Sequence, residues 1–414
     1  MFAKFYGFDS RVYILGVGWF VTSAGFAMVI PFMTIYFFQE LHMSMGAIGL
    51  FFGFSAILRT LPQPVAGELS DRLGRVPLMA WSQILRSFTF AGVAIAIAMG
   101  KGFWVIGSII GLNYILGAFV HPAANAMVAD LVKKEQRISA YAFLRIGGNL
   151  GWAIGPAAGG FIAQKSYATL FLCSGVMALL SGLFFMVFLR DVPIQSRSRQ
   201  SDFNLKDIFN ISKDKKLFEY CVISLILFLA VAQLIAALSV YSTDTIGITK
   251  QDLGILYLIN GAMVVFLQYP ISDALKKFRL TRQLALGAWI YTIGYFSVGF
   301  ATSFICLIIC MVVITLAEII VSPPSVTIVA NLSSPGYYGR YMGIFGMFQT
   351  LGWSLGPTLG GFLLDAFTYN QTYMWIVISC FSASAGILYM KFERKISASV
   401  NNGSKAEKGS VASA

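Results

Sequence analysis

A twelve-residue pattern occurs twice in this chain, 201 residues apart and with eight identical positions. Leu150–Phe161 reads L-G-W-A-I-G-P-A-A-G-G-F, and Leu351–Phe362 reads L-G-W-S-L-G-P-T-L-G-G-F. The same shift aligns His121 with Ser322, and each of these residues is followed by proline. A repeat of half the chain length, with matching polarity, indicates two similar halves that have the same order of elements.

Long apolar runs show what each half is made of. The chain has 414 residues, of which 57% are hydrophobic and 12% charged, whereas a soluble protein carries about 25% charged residues. The first run, residues 12–38, is too long for a signal peptide and is read as a retained span. A helix crosses a bilayer in about 20 residues, and the runs predict twelve spans: residues 12–38, 45–66, 78–99, 104–131, 139–163, 168–189, 217–243, 253–274, 283–300, 304–331, 341–364 and 372–390.

The predicted fold is therefore an all-α polytopic membrane protein with two pseudo-symmetric bundles of six transmembrane helices. Residues 1–190 form the first bundle and residues 217–391 the second. A cytoplasmic linker over residues 191–216 separates them, and residues 392–414 are expected to be a disordered cytoplasmic tail.

The net charge of +12 reflects orientation in the membrane and not binding to nucleic acid. Lysine and arginine concentrate in alternate loops, the linker and the tail, whereas the opposite loops carry Lys101, Lys165 and Lys250. Basic residues favour the cytoplasmic side, so both termini are predicted to be cytoplasmic, in a plasma or inner membrane. The five cysteines lie in apolar runs without metal-ligand spacing, and neither a metal site nor a disulfide is expected.

A charged segment, residues 67–78, interrupts the apolar sequence and is predicted to be a tight turn around Gly67 and Gly74. Its order, G-x-L-x-D-R-x-G-R, resembles the signature loop between the second and third helices of major facilitator superfamily transporters. Val76 departs from the basic residue usual in that family. The resemblance implies two halves that alternate access to a central site, and a conformational latch formed by Gly67, Asp71, Arg72, Gly74, Arg75 and Asp130.

The repeated sequence contains the pattern G-x-x-x-G-P-x-x-G-G, which resembles the fifth-helix motif of proton-driven antiporters, notably drug exporters. Proline removes a helical hydrogen bond and bends the helix, and glycines allow close helix contacts. A helix that serves packing alone is the other interpretation. The motif residues are Gly151, Gly155, Pro156, Gly159 and Gly160, repeated as Gly352, Gly356, Pro357, Gly360 and Gly361.

Ionisable residues inside spans are candidates for function because they are costly in hydrocarbon. Glu318 lies near mid-span and is the first candidate for carrying a coupled proton, followed by His121 and Asp130. His121 is either that or a hydrogen-bonded packing residue, on one helix face with Asn113 and Gly117. Three spans contain an arginine, either a membrane anchor reaching the interface or a functional group: Arg59, Arg86 and Arg145.

Polar and aromatic residues inside the spans are candidates to line a substrate cavity: Asn113, Asn149, Trp152, Gln233, Asn260, Gln349 and Trp353. Asn113 stands where many facilitators have an arginine. An aromatic content of 15% and few charges favour a lipophilic solute, including a cationic one. The predicted function is secondary active transport, with proton-coupled efflux of drug-like molecules as the first hypothesis and a nutrient symporter or facilitator as the second. We expect a monomer with no cofactor beyond the proton gradient and no enzymatic activity.

Overall fold

The computed structural model describes residues 8–132, 137–189, 214–333 and 338–401. Across these ranges every extended regular element is helical, and the predicted all-α membrane fold is confirmed. The α-helices are α1 (Ser10–Gln39), α2 (Met45–Thr60), α3 (Gln63–Leu73), α4 (Arg75–Ala98), α5 (Phe103–Gly117), α6 (Val120–Leu131), α7 (Arg137–Ala163), α8 (Tyr167–Phe188), α9 (Lys215–Val231), α10 (Ala237–Val240), α11 (Lys250–Leu275), α12 (Leu280–Val298), α13 (Phe304–Leu332), α14 (Tyr338–Ala366), α15 (Thr372–Glu393) and α16 (Ala398–Asn401).

Eight helical stretches of the described chain are long and apolar enough to cross a membrane. They correspond to predicted spans one, three, four, six, seven, eight, ten and twelve. The other four predicted spans coincide with α2 and α3, with α7, with α12 and with α14. The helices are thus consistent with twelve spans.

The predicted turn over residues 67–78 is wrong in its extent. Helix α3 continues through Gly67 to Leu73, and α4 begins at Arg75. The chain reverses at Gly74 alone, whose φ of 96° suits glycine. Charged side chains do not by themselves end a helix, because its backbone groups bond to one another at the membrane surface as well as inside it. The prolines act earlier, since Pro62 caps α3 after α2 has ended at Thr60.

Two predicted spans are interrupted helices. Span four divides into α5 and α6 around Ala118 and Phe119. Span seven passes from α9 through a 3₁₀ turn at Ala232–Leu234 and α10 to a π-helical turn at Tyr241–Thr245. Irregular backbone inside a membrane protein leaves polar groups that need partners from neighbouring helices. Both interruptions therefore require such partners.

The chain divides into two compact units. The first contains residues 1–43, 54–199 and 248–261, and the second contains residues 44–53, 200–247 and 262–414. The start of α2 therefore belongs to the second unit, and the start of α11 belongs to the first. A division at the predicted linker alone would not separate these segments, and most of that linker, up to residue 213, lies outside the described residues.

Glycines of the repeated motif bring helices together in each unit. In the first unit, a Cβ atom at Gly155 would lie 2.5 Å from the carbonyl oxygen of Ala24, and one at Gly159 would lie 2.3 Å from that of Met28. In the second unit, a Cβ atom at Gly352 would lie 2.5 Å from Cβ of Phe228 in α9, and one at Gly356 would lie 3.2 Å from the carbonyl oxygen of Leu229 in α9. The motif therefore supports the close contact of α7 with α1 and of α14 with α9.

The C-terminal segment remains folded beyond the predicted end of the second bundle. Helix α16 ends at Asn401, whose buried side chain accepts a hydrogen bond of 2.9 Å from the backbone N–H of Thr281. The amide of Asn401 donates in turn to the Thr281 hydroxyl at 2.9 Å. The predicted disorder is therefore wrong for residues 398–401, where this polar pairing fixes a sequence without an apolar face. Residues 402–414 lie outside the described residues.

Candidate functional site

Arg86 lies in the middle of α4 with only 5% of its surface exposed. Its Nε and Nη2 donate to Asn113 Oδ1 at 3.3 and 3.2 Å, and its Nη1 donates to Gln83 Oε1 at 3.1 Å. No ion pair among the described residues involves Arg86. The side chain points into the unit instead of reaching the interface, so the membrane-anchor interpretation is wrong for this residue. A buried cation is held here by two neutral amides.

The bonds continue from Arg86 into four helices. Asn113 Nδ2 donates to Thr89 Oγ1 at 2.7 Å. Gln83 Nε2 donates to Thr22 Oγ1 at 2.6 Å, and Thr22 Oγ1 lies 2.7 Å from Ser181 Oγ. Buried polar groups require such partners. We call this set the arginine network; it joins α1, α4, α5 and α8 and consists of Thr22, Gln83, Arg86, Thr89, Asn113 and Ser181.

Aromatic rings surround the guanidinium of Arg86. Its Cζ lies 5.4 Å from the ring centre of Phe26 and 5.6 Å from that of Phe90, distances at which a cation is attracted to a ring face. Phe26 contacts Trp152 edge to face with ring centres 6.3 Å apart, and Trp152 is 38% exposed. One phenyl ring thus separates the guanidinium from an exposed tryptophan.

Space for the guanidinium comes from Gly117. A Cβ atom at this position would lie 3.3 Å from both Cζ and Nε of Arg86. Tyr114 lies one turn earlier on α5, and its ring centre is 6.0 Å from that of Phe26. The guanidinium carbon of Arg59 lies 5.8 Å from the same Tyr114 ring centre. Arg59 is exposed, so this region of the first unit carries a second positive charge.

The second unit holds Glu318 on α13, where it interacts electrostatically with the buried Tyr291. Tyr291 begins a column of stacked aromatic rings. Its ring centre lies 5.8 Å from that of Tyr295, which lies 6.1 Å from that of Trp375, with interplanar angles of 8° and 7°. Glu318 is partly buried, and Tyr291 is near enough to be affected by its charge.

The interruption of span seven receives hydrogen bonds from this column and from a glutamine. Tyr295 Oη donates to the carbonyl oxygen of Val231 at 3.2 Å, at the point where α9 ends. Gln233 is fully buried, and its Nε2 donates to the carbonyl oxygens of Leu229 and Gly356 at 2.7 Å. These contacts satisfy backbone groups that the broken helix leaves free.

The charged segment of the first unit contains a partly buried ion pair. Arg75 Nε lies 3.2 Å from Asp130 Oδ2, and Arg75 Nη1 donates to Ser70 Oγ at 2.7 Å. Arg75 is 7% exposed. Asp71 lies within α3, but its side chain is outside the described residues. The latch therefore stays a prediction, although the contact between two of its residues, Arg75 and Asp130, is described.

A sequence model of the Major Facilitator Superfamily matches residues 15–357 and, in a second match, residues 220–413. The chain belongs to the major facilitator superfamily. It is a multi-pass membrane protein of a family of transporters that carry small molecules.

Curated relatives of this facilitator align over most of their length. The MFS-type transporter YttB of Bacillus subtilis (strain 168), itself uncharacterized, is 27% identical over 91% of this chain and 94% of its own. Multidrug resistance protein MdtH of Photorhabdus laumondii is 25% identical over 82% of this chain and 83% of its own. Quinolone resistance protein NorA of Staphylococcus aureus (strain MSSA476) is 22% identical over 94% of this chain and 97% of its own.

Solved structures of other facilitators share the fold. A bacterial homologue of the human lysosomal transporter Spinster superposes with a TM-score of 0.75 at 14% identity, covering 93% of this chain and 96% of that one. The nucleoside transporter NupG superposes with a TM-score of 0.72 at 15% identity, covering 93% and 100%. At these identities the likeness concerns the fold alone.

The predicted cavity residues of this facilitator differ in their surroundings. Asn113 is buried in the arginine network, and Trp152 belongs to its aromatic surroundings. Gln233 is a packing contact between α9 and α14. Asn149 is exposed, whereas three further candidates are partly buried: Asn260, Gln349 and Trp353. Which of them contact substrate stays a prediction.

His121 is separated from Asn113 by the end of α5. Its ring packs edge to face against Trp19 with centres 5.2 Å apart, and its Nδ1 lies 3.0 Å from Asn125 Nδ2. Asn113 and Gly117 share a helix face as predicted, since both lie against Arg86. His121 does not join them, because it follows the turn at Ala118 and Phe119 and contacts Trp19. His121 contributes nothing to the described contacts of the arginine network.

The centre of the arginine network could not be predicted from either residue alone. Arg86 stands out by its depth in a span, and Asn113 by its position where many facilitators have an arginine, but neither observation connects the two residues. The signal lay in both observations together, since a buried arginine requires a partner on a neighbouring helix. Gln83 and Phe26 gave no separate signal, because glutamine and phenylalanine are ordinary residues in such spans.

Proposed function

We propose that this facilitator is a proton-coupled exporter of lipophilic small molecules that works by alternating access in a cell membrane. The observation that carries the proton coupling is Glu318, a carboxyl group in the interior of a 29-residue apolar helix beside a buried tyrosine. The resemblance of the G-x-x-x-G-P-x-x-G-G motif to that of proton-driven antiporters supports export, as do the relatives named for multidrug and quinolone resistance.

Glu318 suits a coupling site because its charge changes when it gains or loses a proton. An intramembrane carboxyl group is costly to ionise and is kept in proteins chiefly for function. Exchange requires that a bound proton weakens substrate binding, and by linkage a bound substrate must then weaken proton binding by the same factor. A carboxyl group in reach of the aromatic column provides a place for such an exchange.

Glu318→Gln tests this proposal because glutamine matches the shape of the neutral acid and cannot titrate. In liposomes that contain the purified protein and an imposed pH gradient, the parental protein should accumulate a lipophilic probe such as 2-naphthamide against its gradient. The Gln variant should lose this accumulation and keep downhill exchange. Undiminished uphill transport by the variant would contradict the assignment of Glu318, and His121 and Asp130 would be tested next.

A symporter or facilitator for a small nutrient is the second candidate. The observation that favours it is Asn113, which replaces the span-four arginine found in many facilitators. The same liposomes separate the two candidates, since a symporter moves substrate in the direction of proton flow and an exporter moves it against that flow.

A further inference from the structure

We propose that Arg86, together with Asn113 and Gln83, is the recognition point for a carboxylate group on an aromatic substrate. The inference rests on the proposed transport of lipophilic molecules and adds a chemical class to it. The arginine network supplies the anion site, and the rings around it supply the apolar surface for the rest of the substrate.

Arg86 has no counter-charge among the described residues. Buried charges in proteins are normally paired with an opposite charge, yet Arg86 is 5% exposed and none of the described ion pairs includes it. Removing a guanidinium from water without a partner is costly. In the interior of a membrane protein such a group by default indicates function. A bound anion would supply the charge that the described residues do not.

The guanidinium of Arg86 can donate more hydrogen bonds than its described contacts use. A guanidinium has five N–H groups, and Arg86 uses its Nε, Nη1 and Nη2 for one described bond each. Both terminal nitrogens therefore keep a hydrogen atom for another acceptor. The planar fork of arginine binds a carboxylate through two parallel bonds. Asn113 and Gln83 hold the fork in place and leave its charge uncompensated.

The surroundings of Arg86 are aromatic and positively charged. Phe26 and Tyr114 contact each other beside the guanidinium, and Trp152 continues the aromatic surface to the exterior of the unit. Arg59, over the ring of Tyr114, adds positive charge. This environment disfavours a cationic substrate, in contrast to the expectation from composition. It favours a flat apolar molecule with one acidic group.

Access depends on Phe26. Its ring covers the guanidinium at 5.4 Å and is itself partly buried, in contact with the 38% exposed Trp152. A rotation of one phenyl ring is therefore the movement that would admit a carboxylate. Gly117 gives the guanidinium room to lie against α5, since a Cβ atom there would lie 3.3 Å from its Cζ and Nε atoms.

Three probes with one ring system and different charges test the proposal: 2-naphthoate, 2-naphthamide and 2-naphthylmethylammonium. We expect the purified full-length protein to bind 2-naphthoate most tightly by tryptophan fluorescence or calorimetry. Arg86→Gln should reduce the ratio of naphthoate to naphthamide affinity by about tenfold or more, the loss expected for one hydrogen bond to a charged group. Arg86→Lys, which keeps the charge without the fork, should give an intermediate ratio.

Asn113→Asp provides a second route to the same loss. A carboxylate at this position would lie at the place where Asn113 Oδ1 now accepts two bonds from Arg86. It would neutralise the guanidinium from within, so the preference for 2-naphthoate should fall although Arg86 is present. This variant adds a counter-charge to a buried cation and so keeps the test valid if Arg86→Gln does not fold. Arg145→Gln, which removes an exposed span arginine, is the matched control and should leave the ratio unchanged.

Two results would overturn the proposal. One is a parental protein without preference for 2-naphthoate over the other probes. The other is an unchanged preference in Arg86→Gln and Asn113→Asp, which would make Arg86 a structural cross-link. Transport separates this failure from that of the proposed function: uphill export of 2-naphthamide would leave the exporter standing, whereas absence of pH-driven export of all three probes would count against it as well.

Discussion

Asp365 accepts a hydrogen bond of 2.8 Å from the backbone N–H of Gly46, 319 residues earlier in the chain. Its other carboxylate oxygen accepts from the N–H of Met45 at 3.1 Å, so Asp365 caps the beginning of α2 within the second unit. In the first unit, Gln164 Oε1 accepts a bond of 3.2 Å from the N–H of Lys250 at the beginning of α11. Gln164 and Asp365 are equivalent positions of the internal repeat, so the symmetry extends to matched helix caps.

The Asp365 cap should contribute measurably to stability. A carboxylate that binds free N–H groups at a helix N-terminus is stabilised by those bonds and by the helix dipole. Asp365→Ala should lower the free energy of unfolding by about 1 kcal/mol. Asp365→Asn, which keeps an acceptor oxygen without the charge, should lower it less. Thermal unfolding in detergent measures both variants, and an unchanged midpoint in Asp365→Ala would contradict the importance of the cap.

The repeated glycine motif predicts some of the observed helix contacts but not all of them. Its spacing predicts close helix contacts, and the structure places Gly155 against α1 and Gly356 against α9. The last glycine of each copy contacts a different helix, since Gly160 faces Lys250 of α11 and Gly361 faces Met45 of α2. This second contact could not be predicted, because the sequence does not show which neighbouring helix each of two adjacent glycines contacts.

Gly155→Ala should strongly destabilise the first unit. The added Cβ atom would lie 2.5 Å from a backbone carbonyl oxygen of α1, which cannot move without moving the helix. Overpacking of this kind costs about 1–3 kcal/mol. Gly343→Ala is the matched control, because a Cβ atom at Gly343 in α14 has nothing within 4 Å. We expect the thermal midpoint to fall in Gly155→Ala and to stay unchanged in the control. Equal midpoints in the two variants would show that α1 and α7 are not tightly packed.

The interrupted span seven marks the limit of prediction from sequence. Residues 215–245 contain neither proline nor glycine, so nothing in the sequence signals the end of α9 at Val231. Tyr295, from another helix, bonds to the carbonyl oxygen of Val231, and Gln233, within the break itself, bonds to that of Leu229. The burial of Arg86 is equally hidden in the sequence, since it depends on a partner from another helix. Tertiary contacts decide both cases.

Asp71→Asn and Asp130→Asn should slow turnover while substrate affinity is kept. The resemblance to facilitators assigns these residues to a latch, and Asp130 contacts the nearly buried Arg75 at 3.2 Å. A ligand changes a conformational equilibrium only by its different affinity for the two states, so it would not replace a lost latch. Asp273→Asn is the matched control, because Asp273 pairs with Lys276 and both side chains are about half exposed. Parental flux in the two latch variants, measured in liposomes beside their affinity, would contradict the latch.

Orientation in the membrane can be tested by cysteine accessibility. The distribution of basic residues predicts that Lys101 and Lys165 face the exterior and Lys276 the cytoplasm, and all three side chains are exposed. The background should lack the five native cysteines, so that labelling reports the introduced cysteine alone. Cysteines that replace Lys101 and Lys165 should react with a membrane-impermeant maleimide in intact cells, and one that replaces Lys276 should react only after permeabilisation. Lys250→Cys should react more slowly from outside, because the Lys250 ammonium packs 4.2 Å from the ring centre of Tyr167 and the site is partly buried. The opposite pattern of labelling would place the termini outside. The charged segment over residues 67–78 would then also lie outside, and not on the cytoplasmic side.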